Sequence, residues 1–63
     1  MSRSRCTEAR VLALSALGVS QSSVKRERFS VESDGSCRFY FYSSGGLLIG
    51  SAVVFADDSV EIQ

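Results

Sequence analysis

Residues 28–42, RFSVESDGSCRFYFY, decide the fold. Phe29 and Val31 alternate with Arg28, Ser30 and Glu32, and Cys37, Phe39 and Phe41 alternate with Arg38, Tyr40 and Tyr42, with Asp34-Gly35 between the runs. That pattern is strand, turn, strand. A two-residue Asp34-Gly35 loop would set Phe29 and Val31 on the face of Tyr40 and Arg38. A three-residue loop, Ser33-Asp34-Gly35 with Gly35 in the left-handed bulge position, instead pairs Val31 with Cys37 and Phe29 with Phe39, which makes one face wholly apolar. The three-residue loop is therefore expected.

Beyond this hairpin, Ser43-Ser44-Gly45-Gly46 is a further turn, and residues 47–55 form a strand apolar on both faces. A strand of that kind belongs inside a sheet. Its faces read as Leu47, Ile49, Val53 and Phe55 against Leu48, Ala52 and Val54, the second set continuing the Tyr40 and Tyr42 face, with Gly50 marking a bulge or a close backbone approach. Ala56-Asp57-Asp58-Ser59 turns the chain again, and Val60 and Ile62 flank Glu61 in a short last strand.

Before the hairpin, Ala9, Val11, Leu12, Ala13, Leu14, Ala16 and Leu17 recur at helical spacing. Thr7 serves as N-cap, Gly18 as the left-handed terminator and Val19 as a contact back onto the helix, for a span of about ten to fourteen residues. Val11, Leu14 and Leu17 form its expected ridge. Ser20 offers a cap for a short second helix from Gln21 to about Arg26. The expected fold is α+β: one main N-terminal helix and a short second helix packed on an antiparallel meander of three or four strands. The helix should cover Phe29, Val31, Cys37, Phe39 and Phe41 together with one face of the third strand. The chain reads as a single domain over 1–63, helical and basic over 1–28, sheet and acidic over 29–63.

Charge follows that division. Residues 1–29 carry Arg3, Arg5, Arg10, Lys25, Arg26 and Arg28 against Glu8 and Glu27, while residues 30–63 carry Arg38 against Glu32, Asp34, Asp57, Asp58 and Glu61. The formal net charge of zero is thus a cancellation of two opposite halves, and each sign can face a different partner. Two cysteines, Cys6 and Cys37, fall short of the framework that staples small secreted domains. A reduced, cytosolic pair is expected, although a helix lying over the sheet would bring the sulfurs together. Arg3 and Arg5 before residues 11–19 imitate a secretory signal, but Glu8, Ser15 and Gly18 interrupt the pattern and a helix is the reading taken. No apolar run approaches the ~20 residues of a membrane span.

Chemistry is sparsely provided. There is no histidine, hence no ordinary acid–base group near neutral pH. The cysteines are too far apart in sequence for a local metal motif, and Gly45-Gly46 leads into neither a helix nor a lysine, as a phosphate loop would require. Neither enzymatic activity, nor a metal, nor a cofactor is expected. Binding remains, to a protein before nucleic acid, by a monomer or homodimer.

Three surfaces are candidates. Residues 14–26, LSALGVSQSSVKR, resemble the turn and recognition helix of helix-turn-helix DNA-binding proteins, with Gln21, Ser22, Lys25 and Arg26 at the groove-facing positions. Glu27 departs from that pattern, where a second apolar anchor should follow Val24. The Tyr40, Tyr42 and Val54 face suits apolar contact with a second copy. The third surface is acidic: Glu32, Asp34, Asp57, Asp58 and Glu61 project from turns and strands. In size, layout and these five carboxylates the chain resembles small phage-encoded anti-CRISPR proteins, particularly inhibitors of type I effector complexes. The resemblance implies inhibition without chemistry, in the cytoplasm of an infected bacterium, by an acidic surface mimicking DNA on a Cascade-like complex. The six basic residues of the first half depart from whole-surface mimicry.

Overall fold

The computed structural model describes residues 2–63, with side chains from Cys6 onward. The order is a helix α1 (Ser2–Leu17), one 3-10 turn (Gln21–Ser23), then strands β1 (Arg26–Val31), β2 (Cys37–Tyr42), β3 (Leu48–Val54) and β4 (Val60–Ile62). The strands form one antiparallel meander in the order β1-β2-β3-β4. The α+β expectation holds, with the sheet at four strands. The second helix does not form: Ser20 caps only the 3-10 turn, and the chain is already paired with β2 at Arg26. Arg26 and Arg28 are therefore strand residues, and the sheet begins before residue 29. The side chains of Arg3 and Arg5 lie outside the described residues.

The hairpin register is the one that unites the apolar side chains. Val31 pairs with Cys37 and Phe29 with Phe39; Gly35 takes φ +88°, a conformation glycine reaches at no steric cost. The Glu32 amide donates to the Ser36 carbonyl at 2.8 Å and the Gly35 amide to the Glu32 carbonyl at 3.0 Å. The other two hairpins repeat these bonds, from Ser43 to Leu47 and from Phe55 to Ser59, with positive φ at Gly46 and at Asp58. All three connections are thus one loop type, a tight turn closed by a left-handed residue.

α1 starts earlier than its composition suggests, at Ser2, so Thr7 lies inside it rather than at its cap. Its end is as expected. Gly18 has φ +70°, its amide reaches the Ser15 carbonyl at 3.2 Å and the Val19 amide reaches Leu14 at 3.1 Å, which is a Schellman closure. The buried stripe is Cys6, Ala9, Ala13 and Leu14; Val11, expected on the ridge, is 59% exposed. Small side chains face the sheet because the rings of Phe39 and Phe41, 1% and 0% exposed, already fill the space under the helix.

The helix rests on β2, β3 and β4. Consequently Phe29 and Val31, expected beneath it, are 56% and 55% exposed. The faces of β3 also differ from the alternation read in sequence. A register shift opposite the Phe41/Tyr42 step absorbs one residue, so Leu48 stays opposite Tyr42 while Ala52 and Val54 turn into the core opposite Phe39 and Cys37. Val54 is fully buried, and a dimer surface combining it with Tyr40 and Tyr42 does not exist. Gly50 marks both this bulge and a close approach: a Cβ there would sit 3.0 Å from Leu17 Cδ1.

Polar side chains add to the packing of the helix on the sheet. The Cys6 and Cys37 sulfurs, both buried, lie 2.9 Å apart. Arg10 Nε donates to both Glu27 oxygens, at 2.9 and 2.8 Å, its Nη1 donates to Gln21 Oε1 at 2.9 Å, and Nη2 is 2.7 Å from Glu27 Oε1. The Glu27 carboxylate raises the Arg10 pKa above its ordinary value, so this guanidinium stays charged.

Candidate functional site

In a meander, alternate connections fall at the same end of the sheet. The β1–β2 loop and the β3–β4 loop are therefore neighbours, and a Cβ on Gly35 would lie 3.7 Å from Ala56 Cβ. Each loop carries an aspartate in the same structural role. Asp34 Oδ1 accepts from the Ser36 amide at 3.0 Å and its hydroxyl at 2.7 Å, and Asp57 Oδ1 accepts from the Ser59 amide at 3.0 Å and its hydroxyl at 2.6 Å. Such bonds hold the carboxylate in one orientation. Asp34 is held below its ordinary carboxyl pKa, first by the Ser36 amide and then by the Ser36 hydroxyl.

On the sheet face away from the helix, these loops border a shallow depression lined by Glu32, Asp34, Arg38, Val53, Phe55 and Glu61 among others. Arg38 lies within it, its Nε 3.6 Å from Glu32 Oε2 and its Nη1 donating to Gln63 Oε1 at 3.2 Å. Glu61 reaches the same face because β4 pairs it with Val53. The five acidic residues singled out in sequence thus come to one end of the molecule, with Arg38 among them. Oxygen acceptors on a rigid frame suit arginine and lysine side chains, which bind carboxylates as they bind phosphates. No group of three or more metal-ligating side chains occurs among the described residues.

The alternative DNA-contacting set is not assembled as expected. Gln21 and Ser22 lie in the 3-10 turn, where Ser22 donates its amide to Ser20 Oγ at 3.2 Å. Gln21 binds Arg10, the Lys25 amide bonds to the Tyr42 carbonyl at 2.9 Å, and Arg26 faces Tyr42 across β1 and β2. A recognition helix is absent because strand pairing captures the chain within two residues of the turn. This segment lies at the opposite end of the sheet from the carboxylates, beside the 43–47 loop.

Sequence reasoning missed the Arg10–Glu27–Gln21 cluster. These residues are far apart in the chain and carry no local spacing signal; only the placement of α1 over the sheet joins them. No helix among the described residues is long and apolar enough to cross a membrane. No protein-family model, curated protein or solved structure matches the chain.

Proposed function

We propose that this protein is a non-enzymatic inhibitor that binds a nucleic-acid-handling protein through the acidic end of its sheet, in the place of DNA phosphates. The observation that carries this reading is the pairing of two loops of one type at one end of the meander, which sets Glu32, Asp34, Asp57 and Asp58 together with Glu61 alongside. Preset carboxylates lose little freedom on meeting a basic groove, and their field speeds encounter with it. The partner class that the resemblance implies is a type I, Cascade-like effector complex, met in the cytoplasm of an infected bacterium. Arg38 within the patch restricts the match to a groove that tolerates one cation, which favours a specific partner over every DNA-binding surface.

The test is competition between the protein and target duplex for a purified type I effector complex. Wild type should displace the duplex and lose this capacity as salt rises. The Asp57→Asn/Asp58→Asn/Glu61→Gln triple variant keeps an acceptor for Ser59 and should fold as wild type, yet bind at least tenfold more weakly by the loss of charge-assisted contacts. Binding that the triple variant leaves unchanged would remove the mimic mechanism.

A further inference from the structure

β1 is an edge strand, and its pairing with β2 dictates which groups it presents outward. The Glu32 amide bonds to Ser36, so even-numbered residues of β1 turn their amide and carbonyl groups toward β2. By the antiparallel alternation, those of Glu27, Phe29 and Val31 point off the sheet. Phe29 and Val31 are also the β1 residues left more than half exposed on the helix-bearing face, where Ile62, paired with Ala52 on the opposite edge strand β4, is the single such β4 side chain. Open backbone and open apolar side chains coincide, and an edge of this kind invites another strand.

We propose that the strand is β1 of a second copy of this chain, paired antiparallel about a two-fold axis at Ser30, so that two four-stranded sheets become one. The argument is self-complementarity. An axis at Ser30 sets Phe29 opposite the second copy's Val31 on one face and Arg28 opposite the second copy's Glu32 on the other, and symmetry makes each pair twice. Neighbouring axes fail. At Phe29 the axis would place the Glu27 carboxylate against Val31, at Arg28 it would oppose two guanidiniums, and at Val31 it would spend Phe29 on Ser33. Arg10 holds Glu27 on the apolar face, which makes Glu27 the group that rejects the wrong register.

The cleft between α1 and β1, lined by Cys6, Thr7, Arg10, Glu27, Phe29 and Phe39, runs beside this edge. Val11, one turn beyond Thr7 and 59% exposed, lies on the same flank of the helix. The joined strands would floor a trough between two helices. An interface built on one short strand is small, so association is weak and concentration-dependent.

Sedimentation velocity over a concentration series should show a reversible monomer–dimer equilibrium. Val31→Lys changes an exposed side chain and should leave the melting curve in place, yet weaken association about tenfold or more, because symmetry removes two apolar contacts and inserts two charges. Ser30→Cys, on the axis, should give a covalent dimer under copper–phenanthroline oxidation, and Arg28→Cys should not. A protein that stays monomeric at its solubility limit overturns the proposal. So does a dimer indifferent to Val31→Lys, or cross-linking through Arg28→Cys as fast as through Ser30→Cys.

Discussion

Oxidising the Cys6 and Cys37 thiols to a disulfide should stabilise the fold strongly. The two sulfurs sit 2.9 Å apart between helix and sheet, and Cys6 borders the cleft beside β1, the expected route for an oxidant. With glutathione disulfide, two protein thiols become one bridge and two glutathione molecules are released. The residues are 31 apart in the chain, and the loop-entropy expression for that separation gives about 3.7 kcal/mol at 25 °C. In a domain of this size, that corresponds to a rise in melting temperature of roughly 15–30 °C. Circular-dichroism melts of oxidised and reduced protein, with alkylation and mass spectrometry to count thiols, read both the bond and its effect. Cys37→Ser should melt at one temperature whatever the redox state. Oxidised protein whose thiols are consumed within one chain but whose melting temperature is unmoved would refute the entropic argument, and thiols that persist in excess oxidant would refute the access argument.

Further outcomes follow from the polar contacts. Glu27→Gln should cost about 1 kcal/mol in urea unfolding, since it removes a partly buried, two-oxygen ion pair. Arg10→Lys should not preserve that stability, because an ammonium is a point donor and cannot span both Glu27 oxygens and Gln21. Asp34 should titrate by carboxyl NMR below the ordinary value of 3.8, its carboxylate being favoured by the Ser36 amide and hydroxyl. Because the folded pKa is the depressed one, its contribution to stability is complete above the ordinary carboxyl pKa and is lost as pH falls through the folded value. A midpoint at or above 3.8 would mean that the Ser36 bonds are not maintained in solution.

The hairpin was legible to the residue because one loop length united every apolar side chain and the other did not. The end of α1 was legible for a similar reason, since Gly18 and Val19 carry a local signal for a local structure. What escaped depends on elements far apart in the chain. Helical spacing identifies Val11 and Leu14 as apolar but not which strands the helix will cover, and it covers β2 to β4, leaving Val11, Phe29 and Val31 outside. The segment after Ser20 has the residues of a short helix, but pairing of Arg26 with Tyr42 begins too soon to allow one. The faces of β3 were misread because alternation counts residues, and a bulge consumes one. The acidic residues were legible individually; that they share one end is a property of meander parity.

That the three loops share one type has a consequence for how this chain could vary its surface. One backbone shape, with the same two bonds and a left-handed fourth position, holds Ser33-Asp34-Gly35 and Ala56-Asp57-Asp58 at one pole and the uncharged Ser44-Gly45-Gly46 at the other. Because that shape is what sets strand register, the tip residues are interchangeable between poles without disturbing the core. The molecule is in effect a socket with three inserts of one shape, whose tip chemistry can be rewritten while its architecture stands still.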